Sequence, residues 1–345
     1  MNNSESYPPI LRHLSHPRHH QPDGGDPIRE SEPDPLPLID LQLLSHDMNM
    51  QKVLEDACKH WGLFRLVNHG IPSTLLTQLQ HQAKQLFSLS FESKQASCNA
   101  ADPVTYFWGT PALTSSGTPL TTAPQNINWF EGFNMSLPHL SQFQPQLPQL
   151  HSFRDTVVEY GEHLSRIGRR LFEAMVKKLD LNIEASSSYV AESTGIMRIY
   201  RYPKCSNSDV GLGMEVHTDS SVLSILSQEN EVSGLELLKD HQWLTVKPVS
   251  NTLIVNLGDM MQAISDDKYK SVTHRVKLNN EGERISLCYF VFPDEELEIN
   301  SSNYRPFTYK QFRTQVQQDI KTVGNKVGLP RFQHTPHSSH ENLQK

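Results

Sequence analysis

The chain has 345 residues, of which 37% are hydrophobic and 20% charged, so a collagen-like, coiled-coil or wholly disordered protein is excluded. The formal net charge is -7, and no basic cluster indicates a nucleic-acid interface. No apolar run approaches the roughly 18 residues of a transmembrane helix. The N-terminus also lacks a secretory signal, so we expect a cytoplasmic protein without a membrane partner. Four widely spaced cysteines indicate reduced thiols. These features favour a small-molecule partner.

The N-terminal part of the chain alternates between polar and apolar segments. Residues 1–35 are rich in Pro, His, Asp and Ser and lack hydrophobic periodicity, which predicts a flexible tail. The apolar run LPLIDL at 36–41 has the length of a strand. A helix is predicted at about 50–61, where apolar residues recur at helical spacing. LFRLVNHG at 63–70 is typical of a buried strand, and Ser73 is a candidate cap of the next helix.

The pattern changes again in the middle of the chain. Residues 92 to about 150 are rich in Pro, Ser, Thr and Gln, which predicts loops that cover a functional site. An amphipathic helix is predicted at about 153–179, short strands of a sandwich or barrel after residue 195, and a last helix at 309–324. The predicted fold class is α+β, with helices flanking a double-sheet core. The first predicted unit, at 36–190, contains helices, strands and covering loops, and the second, at 191–308, is the β core. A closing segment at 309–332 and a flexible tail at 333–345 follow.

Two candidate metal ligands lie in the segment GLGMEVHTDSSVLSIL at 211–226. If this segment runs into a strand, His217 and Asp219 project from one face and offer an imidazole nitrogen and a carboxylate oxygen. His274, near the start of another predicted strand, is the third candidate. Two histidines and one carboxylate form the facial triad of non-haem Fe(II) oxygenases, which leaves coordination positions open for substrate and dioxygen. The same ligands also suit zinc, and an HxD pair by itself also arises by chance.

A candidate carboxylate receptor follows ten residues after the third metal ligand. Arg284 and Ser286 are two apart in ERISLCYF, so on one strand a guanidinium and a hydroxyl converge on a point beside the metal. Arginine binds a planar carboxylate through two parallel hydrogen bonds. A dicarboxylate could therefore bind there with one end while its other end chelates iron. Cys288 and Phe290 continue the same face as pocket wall.

The HTD, H and RxS motifs together resemble the Fe(II)- and 2-oxoglutarate-dependent dioxygenases, in particular the large plant family with a double-stranded β-helix, or jelly-roll, core. The resemblance covers about residues 36–332 and includes WGLFRLVNHGIP at 61–72 and YRYP at 200–203. It implies Fe(II) as cofactor, 2-oxoglutarate and O2 as co-substrates, and ascorbate as a supporting reductant. The implied iron ligands are His217, Asp219 and His274. The implied contacts of the far carboxylate of 2-oxoglutarate are Arg284, Ser286 and Tyr202.

Within that family the chain is most similar to gibberellin 2-oxidases of the branch that acts on C20 gibberellins. YFWGTPALTSS at 106–116, NWFEGFNM at 128–135 and VGLPRF at 327–332 resemble segments of that branch. The resemblance implies hydroxylation of a gibberellin-like carboxylic acid, at carbon 2, which inactivates the hormone. Aromatic walls suit its apolar ring system, although the loop aromatics could instead only pack the covering loop. The candidate pocket residues are Tyr106, Trp108, Trp129, Phe133, Tyr200 and Phe290.

Two positions depart from the family pattern and bear on the substrate and the position oxidised. Tyr200 stands where the family commonly has Asn, and Val216 stands where it usually has Pro before the HTD motif. The pattern does not identify the residue that binds the substrate carboxylate. Arg198 and Arg201 are candidates, but a surface or structural salt bridge is the more common role of such residues.

Three alternatives to gibberellin 2-oxidation remain. The same chemistry could act on another position of the gibberellin, or on another plant terpenoid or a flavonoid. A non-catalytic, metal-dependent binding protein could keep the fold and the metal, but it would not need the carboxylate receptor. A zinc hydrolase could use the three metal ligands, but it would leave Arg284 and Ser286 without a role.

Overall fold

The computed structural model describes residues 3–15, 34–99, 101–110, 112–114, 117–120, 127–177, 179, 186–205, 212–228 and 231–334. Most of the predicted N-terminal tail, and nearly all of the predicted C-terminal tail, therefore lie outside the described residues. Within the described ranges, no helix combines the length and the apolar character that crossing a bilayer requires.

The strands of the described residues form three sheets. They are, in chain order, β1 (Leu38–Asp40), β2 (Leu63–Val67), β3 (Val104–Trp108), β4 (Glu131–Ser136), β5 (Ile196–Tyr202), β6 (Met214–His217), β7 (Leu223–Ser227), β8 (Leu235–Lys239), β9 (Gln242–Thr245), β10 (Leu253–Leu257), β11 (His274–Val276), β12 (Arg284–Val291), β13 (Glu298–Ile299) and β14 (Phe307–Thr308). The large sheet has eight strands in the order β1-β2-β10-β7-β12-β5-β4-β3. The smaller sheet has the order β6-β11-β8-β9, and β13 pairs with β14. Only the pair β1 and β2 is parallel among these described pairs.

The large and the small sheet enclose a common apolar layer. Leu237 and Val276 of the small sheet belong to the same buried cluster as Tyr200, Ile254 and Cys288 of the large sheet. Because side chains alternate along a strand, the inner face of the large sheet contributes every second residue to this layer. The arrangement is the predicted α+β fold with a jelly-roll core.

Helices cover the outer face of the large sheet. In chain order they are α1 (Met48–His60), α2 (Ser73–Ser88), α3 (Phe91–Ala96), α4 (Leu137–Leu140), α5 (Pro148–Val176), α6 (Ser186–Tyr189), α7 (Asp259–Ile264) and α8 (Tyr309–Val323). Leu164 and Leu171 of α5 lie in one buried cluster with Ile225 of β7 and Leu287 of β12. The apolar stripe of α5 therefore packs on the sheet, as an amphipathic helix requires.

The helix boundaries follow local signals in the sequence. Asp47 caps α1 by accepting hydrogen bonds from the backbone N–H groups of Asn49 and Met50. Thr308 and Gln311 form a reciprocal capping box at the start of α8. The expected cap at Ser73 is wrong by one position, because α2 begins at Ser73 and its cap position is Pro72.

Two strands lie where loops were predicted. Residues Val104–Trp108 and Glu131–Ser136 pair with each other and extend the large sheet as β3 and β4. Both strands are short and lie within a segment rich in polar residues. The composition of that segment therefore predicted loops, although side chains alternate between two buried faces. The β core is consequently not confined to 191–308, since β1 to β4 also belong to the eight-stranded sheet.

The start of the chain also differs from the prediction. Short 3-10 helices at Asn3–Ser6 and Pro9–Ser15 precede the first strand. The Tyr7 ring lies 3.7 Å from the guanidinium of Arg201, and its hydroxyl donates to Glu283 at 2.8 Å. A flexible tail is therefore wrong for this part of 1–35. The polar composition reflects contacts with buried charges, which hydrophobic periodicity does not detect.

Candidate active site

Three candidate ligands meet at the end of the small sheet. The antiparallel pairing of β6 and β11 places His217 opposite His274, and Asp219 follows two residues after His217. The Nε2 atom of each histidine lies 3.8 Å from Oδ1 of Asp219, and the two imidazole centroids are 4.2 Å apart. One ligand atom from each residue lies within 4.8 Å of the others. The three predicted ligands therefore form a site that could hold one metal ion.

Backbone carbonyls orient both imidazoles. Nδ1 of His217 lies 2.7 Å from the carbonyl oxygen of Glu215, and Nδ1 of His274 lies 3.1 Å from that of Val272. A carbonyl oxygen only accepts, so Nδ1 carries the proton and Nε2 keeps its lone pair for a metal. Burial, with a smaller contribution from His274, lowers the pKa of His217 to about 3. This imidazole is neutral at physiological pH, as a metal ligand must be.

Two polar side chains of the large sheet orient the carboxylate ligand. Ser224 Oγ and Asn256 Nδ2 each donate to Oδ2 of Asp219 at 2.6 Å, which leaves Oδ1 directed at the two histidines. Burial raises the pKa of Asp219, but the two histidines and these hydrogen bonds lower it overall. Sequence reasoning missed both supporting residues. Their positions on alternating, otherwise apolar strands were the available signal.

The predicted carboxylate receptor is buried and only partly satisfied. Arg284 is 2% exposed, and its Nη1 donates to Ser286 Oγ at 3.2 Å. Among the described residues, no hydrogen-bond acceptor reaches its Nε or Nη2. Burial lowers the pKa of this guanidinium, but arginine remains charged in proteins. Buried, unpaired donors are costly unless a ligand satisfies them, and a planar carboxylate matches this pair of donors.

Tyr202 completes this receptor from the neighbouring strand. It lies opposite Arg284 in the pairing of β5 with β12, and the guanidinium is 5.2 Å from its ring centroid. Burial raises the pKa of Tyr202 well above its ordinary value, so the hydroxyl stays a neutral donor. The structure thus forms two clusters, one of the three candidate metal ligands and one of the three residues that the sequence assigned to the co-substrate. Their chemistry fits Fe(II) and the far carboxylate of 2-oxoglutarate.

An aromatic wall adjoins the receptor on the inner face of the large sheet. Tyr200 stacks on Tyr202 at 6.1 Å between centroids and meets Phe107 and Phe130 edge-on at 5.8 and 5.4 Å. Phe290 also packs partly against this layer. Sequence reasoning missed Phe107 and Phe130, although each directly follows a predicted pocket residue.

Three of the predicted pocket residues lie on the opposite face of the sheet. Tyr106 and Trp108 contact Phe91 of α3, and Phe133 contacts Phe87 of α2. Their assignment to the pocket is wrong, because in a strand a shift of one residue reverses the face. Trp129 is half-buried before β4, and its backbone N–H donates to the carbonyl of residue 212.

The residues that depart from the family pattern and the two candidate carboxylate-binding arginines also lie on different faces of their strands. The Val216 side chain is 48% exposed, so this departure from the family pattern points away from the pocket. Arg201 is on the outer face, where its buried guanidinium pairs with Glu131, the structural role expected from the sequence. Tyr200 and Arg198 alternate with Arg201 and share the inner face with Tyr202.

Comparisons with known proteins agree with this geometry. The sequence model of the family described as the 2OG-Fe(II) oxygenase superfamily matches residues 193–293. A second model, described as the N-terminal region of the non-haem dioxygenase in morphine synthesis, matches residues 36–153. Gibberellin 2-beta-dioxygenase 6 of Oryza sativa subsp. japonica is 32% identical over 315 residues, which cover 86% of this chain and 84% of that protein. Gibberellin 2-beta-dioxygenase 8 of Arabidopsis thaliana is 33% identical over 306 residues, 86% of each.

A solved structure matches the fold as well. The crystal structure of JOX2 in complex with 2OG, Fe and JA has a TM-score of 0.69 and 28% sequence identity, and the match covers 82% of this chain and 85% of that one. The similarity therefore extends over the helical layer, the jelly-roll and both candidate sites. The chain belongs to the 2OG-Fe(II) oxygenase superfamily and is an Fe(II)- and 2-oxoglutarate-dependent dioxygenase.

Proposed function

We propose that this dioxygenase hydroxylates a gibberellin, namely a C20 gibberellin at carbon 2, and thereby inactivates the hormone. The observation that carries the proposal is that the candidate metal site and the candidate carboxylate receptor occur together in a chain that matches two gibberellin 2-beta-dioxygenases over 86% of its length. The segments at 106–116, 128–135 and 327–332, which resemble the C20 branch, add support.

His217 and His274 would hold the metal through Nε2, and Asp219 would hold it through Oδ1. Each ligand side chain is held by a hydrogen bond at the polar atom that does not face the metal, so the three donor atoms are oriented before the metal binds. When bound, Fe(II) and 2-oxoglutarate supply the oxidising chemistry, in which O2 converts the co-substrate to succinate and CO2 and one oxygen atom enters the substrate.

The protein's own contribution is binding, orientation and exclusion of water. Arg284, with Ser286 and Tyr202, would hold the far carboxylate of 2-oxoglutarate and so fix the orientation of the co-substrate. The aromatic wall of Phe107, Phe130 and Tyr200 is buried and adjoins this receptor, because Tyr200 stacks on Tyr202. An apolar tetracyclic body suits such a wall, since apolar surface removed from water stabilises the complex.

The direct test is incubation of the purified protein with Fe(II), 2-oxoglutarate, ascorbate and a panel of gibberellins, with product analysis by mass spectrometry. We expect a hydroxylated C20 gibberellin, with the new hydroxyl at carbon 2. The Asp219→Ala protein serves as the control without turnover. An oxygen at another carbon would contradict only the regiochemistry, whereas the absence of any gibberellin product would contradict the substrate class.

A second candidate substrate is a jasmonate-like carboxylic acid. It is favoured by the similarity to JOX2, whose structure contains JA. Jasmonic acid belongs in the same panel, and its exclusive turnover would replace the gibberellin proposal while leaving the dioxygenase chemistry intact.

A further inference from the structure

Arg198 occupies the inner face of the large sheet beside the candidate active site. In the strand pairing of β5 it lies directly opposite Asn134 of β4 on one side and Cys288 of β12 on the other. It is half-buried, and it alternates along β5 with Tyr200 and Tyr202. A cationic side chain therefore projects into the layer that contains the co-substrate receptor and the aromatic wall.

The contacts of Arg198 hold its guanidinium but do not neutralise it. Its Nε donates to Oδ1 of Asn134 at 2.9 Å, and its guanidinium lies 5.2 Å from the ring centroid of Phe290. Burial raises the pKa of the neighbouring Tyr200 to about 12, and the positive charge of Arg198 acts in the opposite direction. Within the part of the chain that the structure describes, no carboxylate lies at ion-pair distance from Arg198. Its neighbour Arg201, in contrast, is paired with Glu131.

The position of Arg198 is separate from that of Arg284. On β12, Arg284 faces Tyr202, whereas Cys288, four residues further along the strand, faces Arg198. At about 3.3 Å per residue, the two arginine rows are roughly 13 Å apart along the sheet. One guanidinium is therefore available for 2-oxoglutarate while the other remains free for a second anion. Phe290 lies on the same inner face beside Arg198.

We propose that Arg198, positioned by Asn134 and Tyr200, binds the carboxylate of the prime substrate, so that the enzyme selects apolar carboxylic acids over their neutral analogues. This inference rests on the proposed function in one respect, namely that 2-oxoglutarate occupies Arg284. It assigns a role to Tyr200, the residue that departs from the family pattern, because its hydroxyl lies beside the guanidinium. Phe290 packs against the guanidinium and would adjoin the apolar body of the bound acid.

The test compares Arg198→Gln and Arg198→Lys with the unaltered enzyme, using a C20 gibberellin, jasmonic acid and the methyl ester of each. Succinate release measures kcat/KM. In the unaltered enzyme we expect an acid to be preferred over its ester. In Arg198→Gln, kcat/KM for the acid should fall by about 10- to 100-fold, mainly through KM, while that for the ester changes little. Arg198→Lys should retain part of the preference, because it keeps the charge.

The controls separate this role from a structural one. Arg169→Gln removes a half-exposed guanidinium on α5 and should leave the preference for acids unchanged. Tyr200→Phe should weaken the preference without abolishing it, because it removes only the hydroxyl beside Arg198. Equal losses for acid and ester in Arg198→Gln would indicate a structural role and overturn the inference. So would an unaltered enzyme that turns over neither acid, or turns over esters equally well.

The outcomes also distinguish this inference from the proposed function. If a gibberellin is hydroxylated and Arg198→Gln still prefers the acid, the substrate proposal stands and the role of Arg198 is refuted. If only jasmonic acid is oxidised and its preference over the ester disappears in Arg198→Gln, the role of Arg198 stands and the gibberellin proposal fails.

Discussion

Glu131 lies at the centre of a buried charge cluster between the large sheet and the helices. Its Oε2 accepts from Lys94 Nζ at 2.7 Å, and its Oε1 accepts from Arg201 Nε at 2.5 Å. The three side chains are 0–1% exposed. Glu131→Gln keeps the shape of the side chain but leaves two buried cations facing a neutral amide. We predict that this substitution strongly destabilises the fold.

The magnitude follows from the burial of both partners. Removing one partner of a buried ion pair costs about 3–5 kcal/mol, and because Glu131 serves two cations we expect roughly 5 kcal/mol. For a chain of this size, each kcal/mol lowers the melting temperature by about 2 °C, so Glu131→Gln should melt roughly 10 °C lower.

Thermal unfolding followed by circular dichroism measures this effect. Glu192→Gln is the matched control, since Glu192 forms an exposed pair with Arg169 and its loss should change the melting temperature by at most about 1 °C. Adding Lys94→Met to Glu131→Gln should restore part of the stability, because one uncompensated charge is removed. Unfolding of Glu131→Gln at the temperature of the unaltered protein would refute the reasoning.

The remaining predictions concern the active site and the N-terminal segment. Asp219→Ala should lose bound iron, measured after dialysis, and activity by more than about 100-fold, because two ligands hold Fe(II) weakly; retained turnover would refute the assignment. Arg284→Lys should raise KM for 2-oxoglutarate more than KM for the prime substrate, because the planar fork is lost; an unchanged KM for 2-oxoglutarate would place the co-substrate elsewhere. Ser224→Ala should weaken iron binding by about 10-fold in a metal titration, and unchanged affinity would mean that its bond to Asp219 is dispensable. Deleting residues 1–12 should lower the melting temperature by several degrees, because the Ser6 carbonyl accepts from Lys94 at 2.5 Å, and an unchanged value would contradict this contact's role.

The elements that could be predicted from the sequence are those whose signals are local. The helices α1, α5 and α8 were predicted because one apolar stripe recurs at 3.6-residue spacing and needs no knowledge of distant partners. The strands β3 and β4 were not, because among the described strands β3 pairs only with β4, and β4 pairs with β5, from which it is separated by at least sixty residues in sequence. The ordered N-terminal segment was missed for the same reason, since the carbonyl of Ser6 accepts from the buried cations Lys94 and Arg201, which lie far along the chain.

The candidate site also has a part that local sequence signals predict and a part that depends on distant strand pairing. The metal ligands and the receptor could be predicted because His217 and Asp219, like Arg284 and Ser286, are two apart, a spacing that places both side chains on one face in a strand. The aromatic pocket could not, because its face depends on the register of β3 and β4. The choice of Tyr106 rather than Phe107 was therefore an error of a single residue, and it reversed the face.

Product analysis with isotopically labelled dioxygen tests most directly the proposal that this chain couples oxidation of 2-oxoglutarate to hydroxylation of a gibberellin. We predict that one labelled oxygen atom appears at carbon 2 of a C20 gibberellin and that succinate forms in equal amount. Succinate formation that is independent of every gibberellin, with no label in any gibberellin, would contradict the proposal.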